Sequence, residues 1–195
     1  MKRLNNFKSK FRVFIKKRKF SSCGKKNRIF KPLKIDGIQN IHLEDNILIK
    51  DFAWLYALKS SEGNKPSLYI SSNCEIGHFV HIVAINSIIF EDSVLTADKV
   101  FITDGTHKFD NESLPIREQG VEHLKDVVIG SGSWIGENVS ILGASIGKQS
   151  IIGAGSVVIK DIPDYCIAVG NPARVIKKYD FVKKSWQPFS NSSKK

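Results

Sequence analysis

The stretch IGSGSWIGENVSILGASIGKQSIIGAGSVVIKDI, residues 129–162, repeats itself about every six residues. Aliphatic side chains recur at six positions: Ile129, Ile135, Ile141, Ile146, Ile152 and Val158. A small or β-branched residue stands four places after each of them: Ser133, Val139, Ser145, Ser150, Ser156 and Ile162. A helix would need apolar residues three and four apart, and each interior glycine would cost it about 1 kcal/mol. The stretch therefore predicts short strands joined by turns.

Such a repeat predicts an all-β parallel β-helix, because three hexapeptides make one triangular coil whose aliphatic side chains stack inside. The pattern extends upstream through two runs: Leu43, Ile49, Leu55 and, after a break at residues 60–66, Ile70, Ile76, Ile82. Beyond Ile82, counting sixes alone would select Ile88, Val94 and Val100. We prefer the frame of Phe90, Thr96 and Ile102, with Val94 and Val100 as second positions and two extra residues near Asn86 and Ser87.

The repeat disappears between Ile102 and Ile129 and then resumes in register. Coils would stack without this insertion, so we predict a projecting functional loop over residues 103–127. The loop contains His107.

The net charge of +11 is concentrated at the start of the chain. Residues 1–34 hold 14 of the 30 Lys and Arg and none of the 19 acidic residues, which leaves a balance of −3 for the rest. The basicity is thus a property of an arm and does not indicate a nucleic-acid-binding fold. Four apolar residues within the arm recur at helical spacing: Phe7, Phe11, Phe14 and Ile15. They predict a basic amphipathic helix over roughly residues 3–20.

The apolar side of this helix would either pack on the body or contact a surface, such as anionic lipid headgroups or an acidic glycan. We divide the chain into a basic arm (1–28), a β-helix domain (29–178) and a C-terminal tail (179–195). The tail predicts a short helix through Trp186.

Composition excludes several classes of protein. The 42% hydrophobic and 25% charged fractions are typical of a soluble globular domain. With neither an apolar run long enough to span a membrane nor a secretory signal, we expect a cytoplasmic protein, with contact at the membrane surface through the arm. The three cysteines are widely spaced, which argues against a disulfide framework and against a metal site.

The closing stretch IGAGSVVIKDIPDYCIAVGNPARVIKKY (152–179) and WIGENVSIL (134–142) resemble the hexapeptide acyltransferases. This family includes galactoside, maltose and capsular polysaccharide or lipopolysaccharide O-acetyltransferases. FKPLKI, AWLYA and IGHFVHI are most similar to the polysaccharide and lipopolysaccharide branch. The likeness covers about residues 28–180. It implies a left-handed β-helix, a homotrimer with acetyl-CoA between neighbouring coils, and a saccharide acceptor.

The resemblance also implies that His107, in TDGTH, is the general base. A hydroxyl must lose its proton to attack a thioester, and imidazole titrates near neutral pH. Asp104 is the partner we name for this histidine because it is nearest in sequence. Three further loop carboxylates remain open as alternatives: Asp110, Glu118 and Glu122.

The aligned motif implies acetyl-CoA contacts at Ala154 and Ile159 for the pantetheine arm and at Lys160, Arg174 and Lys177 for the phosphates. Trp134 resembles a tryptophan that borders the reacting thioester. Family members usually have one more residue where this chain reads ILGASIG, so the resemblance implies a tighter turn near Gly143.

Three alternatives remain at this stage. The γ-class carbonic anhydrases share the coil and bind zinc through three histidines, but His78 and His81 are only three residues apart, and we expect no metal. The acceptor could instead be the amine of an amino sugar or sugar nucleotide, or the coil could be an inactive scaffold. An acceptor groove could be lined by His78, His81, Trp54 and Tyr56, since aromatic faces suit sugar rings.

Overall fold

The computed structural model describes residues 19–59, 65 and 67–189. Within this part the chain winds through successive coils, and each of the first five adds one strand to each of three parallel sheets. The coils are stacked into a three-sided prism, whose sides we call face 1, face 2 and face 3. The core is the interior of the prism, where aliphatic side chains from all three faces meet.

The strands follow the coils in order. Coil 1 contains β1 (Ser22–Cys23), β2 (Arg28–Ile29) and β3 (Lys34–Asp36). Coil 2 contains β4 (Ile41–Leu43), β5 (Leu48–Ile49) and β6 (Trp54–Ala57). Coil 3 contains β7 (Leu68–Ile70), β8 (Glu75–Ile76) and β9 (His81–Ala84). Coil 4 contains β10 (Ile88–Phe90), β11 (Leu95–Thr96) and β12 (Phe101–Thr103). A hairpin of β13 (Gly105–His107) and β14 (Val121–His123) then leaves the prism.

Coil 5 contains β15 (Val127–Ile129), β16 (Trp134–Ile135) and β17 (Ser140–Leu142). Coil 6 contains β18 (Ile151–Ile152) and β19 (Val157–Val158). The chain ends in β20 (Cys166–Gly170), β21 (Ala173–Asp180) and β22 (Ser185–Pro188). Two short 3₁₀ turns lie at Ile38–Asn40 and Ile116–Glu118.

The face 1 order is β1-β4-β7-β10-β15, and the face 3 order is β3-β6-β9-β12-β17-β19. Face 2 runs β2-β5-β8-β11-β16-β18-β20 and ends with β21 and β22, which are antiparallel.

Inward side chains of one face form a continuous ladder, as the hexapeptide repeat predicts. On face 3 the ladder runs Leu55, Ile82, Ile102, Ile141 and Val158, all fully buried. The preferred frame is confirmed, because Phe90, Thr96 and Ile102 are buried and pair with Ile129, Ile135 and Ile141. Cys74 and Cys166 also pack inside, and burial raises the pKa of the Cys74 thiol to about 11.

The predicted C-terminal helix through Trp186 is wrong. Asp180 accepts hydrogen bonds from the N–H groups of Val182 and Lys183 and so closes a turn. This turn pairs β21 with β22 and places Tyr179 opposite Trp186, with ring centroids 5.4 Å apart. The aromatic cross-strand pair favours a hairpin over a helix.

The predicted N-terminal helix over residues 3–20 lies outside the described residues, except for Lys19 and Phe20. Phe20 is buried against the core at the start of coil 1. In the described residues, no helix has both the length and the hydrophobicity to cross a membrane.

Candidate functional site

The hairpin of β13 and β14 starts at the corner where face 3 passes to face 1. Thr103 Oγ1 accepts a hydrogen bond from the Gly105 N–H at 3.1 Å, which directs the chain away from the prism. A side chain at Gly105 would place its Cβ 2.1 Å from Ile85 Cδ1 and 2.8 Å from the Glu122 carbonyl oxygen. Only glycine therefore lets the hairpin pack this closely against coil 3.

Asp104 fixes the base of the hairpin. Its fully buried carboxylate accepts hydrogen bonds from the N–H groups of Ile85, Asn86 and Ser87 at 2.7, 2.8 and 2.6 Å. These donors belong to the turn between coils 3 and 4, where the Asn86 N–H is buried and the other two are partly buried. Within the described residues this carboxylate makes no hydrogen bond to His107, so the pairing of Asp104 with the base stays a prediction.

A second anchor lies on the returning strand. Asp126 Oδ1 is 3.0 Å from Asn86 Nδ2 and 2.9 Å from His123 Nε2. Lys125 forms a short ion pair with Asp161. Burial raises the pKa of Asp161, but the hydrogen bonds from Lys125 and from the Ser145 N–H outweigh it, so the pKa is lowered.

His107 is exposed near the root of the anchored hairpin. It stands opposite Val121, two pairs beyond Gly105–His123, so His107 and His123 lie on the same face of the hairpin. Across such a diagonal their Cβ atoms are about 7–8 Å apart. Within the described part of the chain the His107 imidazole has no hydrogen bond or ion pair, and it is therefore open to a substrate.

The other loop carboxylates are less well placed to orient His107. Glu122 pairs with Thr106 and thus points to the opposite face of the hairpin. Glu118 contacts Arg117 at 3.5 Å, and Asp110 is exposed.

Two of the predicted acetyl-CoA residues share one row across face 2. Trp134 pairs with Ile151, Ile151 with Ile167, and Ile167 with Lys177. Three strand spacings separate the backbones of Trp134 and Lys177, about 14 Å. The Trp134 side chain is 48% exposed at one end of this row.

The remaining predicted contacts flank β19 and β21. Ala154 precedes β19, and Ile159 and Lys160 follow it. A Cβ on Gly136 would lie 2.7 Å from the Ala154 backbone nitrogen, so bare backbone of two coils meets at this corner. Arg174 lies on β21 opposite Val169.

This set of residues fits coenzyme A. Lys160, Arg174 and Lys177 are exposed, and none of them has an ion pair among the described residues. Free cations suit the pyrophosphate and 3′-phosphate, while the exposed Ile159 and Trp134 suit an uncharged arm.

The predicted acceptor residues lie on face 3 and its edge. His81 stacks on Trp54 with ring centroids 4.3 Å apart, and Phe101 lies 5.3 Å from His81 on the other side. Lys34 Nζ is 6.0 Å from the Trp54 ring, so neither face of that ring is free to stack on a sugar. The His81 Nε2 atom is buried and has no hydrogen-bond partner among the described residues, and burial lowers the pKa of His81.

Tyr56 is half-buried two residues after Trp54, on the same face. His78 lies at the corner between faces 2 and 3, where its Nδ1 is 3.2 Å from Asp98 Oδ1. An acceptor groove formed by these four residues stays a prediction. Across the described ranges, His, Cys, Asp and Glu form no group of three that could hold a metal ion.

No protein-family model matches the chain. WbbJ of Escherichia coli (strain K12), provisionally named a lipopolysaccharide biosynthesis O-acetyl transferase, is 37% identical over 127 residues, which make up 62% of this chain and 65% of that protein. The chain thus spans less than two thirds of this relative.

Two solved structures are similar over most of both chains. A variant of AntD, an N-acyltransferase from Bacillus cereus bound to dTDP and coenzyme A, is 25% identical with a TM-score of 0.71, covering 84% of this chain and 86% of that one. A maltose O-acetyltransferase from Clostridium difficile 630 is 32% identical with a TM-score of 0.53, covering 83% and 71%. By its repeat, its inserted hairpin and this identity over most of both chains, the chain belongs to the hexapeptide-repeat acyltransferase family.

Proposed function

We propose that this protein transfers an acetyl group from acetyl-CoA to a hydroxyl of a sugar in a surface polysaccharide, a lipopolysaccharide or its precursor. The observation that carries the proposal is an exposed imidazole, His107, with no partner among the described residues, on a hairpin that is fixed at its root by buried and ionic contacts. A purely structural coil would not require an exposed histidine on an anchored hairpin.

In the proposed reaction His107 takes the proton from the acceptor hydroxyl. The hydroxyl oxygen attacks the thioester carbonyl carbon, the C–S bond breaks, and the leaving thiolate takes the proton back from the His107 imidazolium, which restores the base. Bound acetyl-CoA supplies the electrophilic thioester. No acyl-enzyme is needed, because both substrates can react directly once they are held together.

The chain's own residues would hold the donor. Lys160, Arg174 and Lys177 would bind its phosphates, and the exposed backbone at Ala154 and the side chain of Ile159 would border the pantetheine arm. Trp134 would border the thioester end.

A second candidate acceptor is the amine of an amino sugar or sugar nucleotide. The similarity to AntD supports it, since AntD is an N-acyltransferase whose structure contains dTDP. The name of WbbJ, a relative of higher sequence identity, supports the hydroxyl.

We further propose that the coils wind in the left-handed sense and that three chains assemble with donor sites between them. Five exposed apolar side chains on or beside the hairpin support an assembly: Phe109, Leu114, Ile116, Val121 and Leu124. Exposed apolar surface of this extent on a projecting loop indicates a protein partner.

The replacement His107→Ala tests the mechanism. Loss of the general base should lower kcat by about 10²–10⁴-fold, measured as thiol release from acetyl-CoA in the presence of candidate glycans. Lys108→Ala, the neighbouring exposed residue, should retain parental turnover. A folded His107→Ala protein with unchanged turnover would remove this residue from the mechanism.

Mild alkali identifies the acceptor atom. A product that loses its acetyl group in mild base is an ester, whereas an alkali-stable product is an amide and would support the amine. No acetyl transfer to any saccharide by the parent protein would favour the scaffold.

A further inference from the structure

We infer that the first coil, together with Lys19 beside it, forms a docking surface for an anionic lipid bilayer. The charge of the molecule is strongly asymmetric along the prism. Residues 19–34 hold six Lys and Arg and no acidic residue, while residues 35–195 have 16 basic and 19 acidic residues. Coil 1 therefore forms a cationic end on an otherwise slightly acidic body.

Four of these cations form what we call the collar: Lys19, Lys25, Lys26 and Arg28. All four side chains are exposed, and none has an ion pair with another described residue. In contrast, Lys34 of the same coil is 3.1 Å from Asp36. The collar thus offers unneutralised charge at one edge and one face of the terminal coil.

The same end of the prism exposes apolar surface. Cys23, Ile29 and Ile35 are only partly buried, whereas their partners on coil 2, Leu43, Ile49 and Leu55, are fully buried. Leu33 at the corner of coil 1 is 65% exposed.

The combination of apolar side chains with cations favours a lipid bilayer over a soluble polyanion as the partner. A soluble polyanion needs only the cations, whereas a bilayer also takes up apolar side chains below its anionic headgroups. A bilayer therefore accounts for both features of this end.

Docking through coil 1 determines the distance between the candidate site and the membrane surface. The hairpin leaves coil 4, three coils above the collar, and stacked strands are about 4.8 Å apart. With the prism standing on its first coil, the root of the hairpin is about 14 Å above the headgroups. This step rests on the proposed function, and it indicates an acceptor sugar carried on a membrane lipid.

Vesicle sedimentation tests the docking surface independently of catalysis. The full chain is mixed with vesicles of phosphatidylcholine alone or with about a quarter phosphatidylglycerol. We expect binding to the anionic vesicles, weakened by salt. A triple variant, Lys25→Gln, Lys26→Gln and Arg28→Gln, should bind roughly 100-fold more weakly, because each cation near such a surface contributes about fivefold.

The matched control removes three exposed lysines near the other end, Lys178→Gln, Lys183→Gln and Lys184→Gln, and should bind as the parent does. Unchanged thermal unfolding of both variants confirms that they are folded. Equal binding by the collar variant and the parent would overturn the proposal, as would an equal loss in the control. Retention on DNA or an acidic polysaccharide at a salt concentration that releases the vesicles would assign the collar to a soluble polyanion instead.

Discussion

At the scale of single residues, acidic side chains at the corners join one coil to the next. Five aspartates accept a backbone N–H from the coil before them at 2.6–3.0 Å: Asp45, Asp51, Asp98, Asp161 and Asp164. Asp104 makes the same kind of contact, but it is fully buried and accepts three N–H groups. Its main contribution is therefore to the stability of the hairpin root.

Replacing Asp104 with alanine should lower the free energy of unfolding by about 3 kcal/mol, because one buried and two partly buried N–H groups lose their acceptor. Asp98→Ala, at an exposed corner, should cost about 1 kcal/mol. Urea denaturation measures both. A loss at Asp104 no larger than that at Asp98, together with a large loss of turnover, would favour the catalytic pairing with His107.

The partly buried His81 predicts that the stability of the fold depends on pH. Burial lowers the pKa of His81, so below about pH 6.5 the unfolded chain binds a proton before the folded chain does. Stability should therefore fall as the pH drops from about 6.5 towards the lowered pKa. His81→Phe should remove this loss, raise stability by about 1 kcal/mol by deleting the unpaired Nε2, and keep the stack on Trp54.

Thermal melts at about pH 7.5 and about pH 5 measure the effect. His81→Gln, which neither titrates nor stacks, should remove the pH dependence without the gain. An equally steep loss of stability in the His81→Phe protein would show that other groups cause the acid sensitivity.

The sequence indicated some residues and not others for physical reasons. His107 was found because it lies in a short motif beside a break in the repeat. The corner aspartates were missed because each contact joins residues 16–20 apart, which a six-residue pattern does not show. Asp126, which also contacts His123, was missed because its contact with Asn86 joins the two sides of the insertion, 40 residues apart.

At the scale of elements, the hexapeptide repeat was sufficient to predict the strands of the prism but not the structure of the segments outside the repeat. The frame at Phe90, Thr96 and Ile102 could be chosen because each hexapeptide has two inward positions, and both must be apolar or small. The tail after Tyr179 has no repeat, and its turn depends on the Asp180 carboxylate and the pairing of Tyr179 with Trp186. Those contacts decide between helix and hairpin.

We expect efficient catalysis only when the returning strand β14 is fixed to the prism by its contacts. Asp126→Ala removes the contacts with Asn86 and His123. Because these groups are partly exposed, we expect less than about 1 kcal/mol of lost stability. The looser strand should lower kcat/KM for the acceptor by about tenfold or more, since small displacements of a catalytic group are costly. Steady-state kinetics against Glu112→Ala, an exposed loop control, checks this, and equal kinetics in the two variants would contradict it.

At the scale of the whole molecule, we expect three chains of 21.9 kDa to associate in solution. Native mass spectrometry should show a species of about three times this mass. Phe109→Asp with Ile116→Asp places charges on the exposed apolar loop and should shift the protein to monomers. Val182→Asp, on a residue that is 93% exposed in the C-terminal turn, should leave the assembly intact. A parent protein that is monomeric at micromolar concentration would contradict the proposed intersubunit site.

The corner between faces 3 and 1 differs from the other two. It contains the hairpin, the segment between β6 and β7, and the shortened turn at Gly143, while the other two corners stay nearly uniform in length. Because lengthening a surface loop costs little free energy, this edge can gain or lose residues while the rungs above and below keep their alignment. Insertions at this single edge can thus reshape the surroundings of the hairpin without any change to the interior.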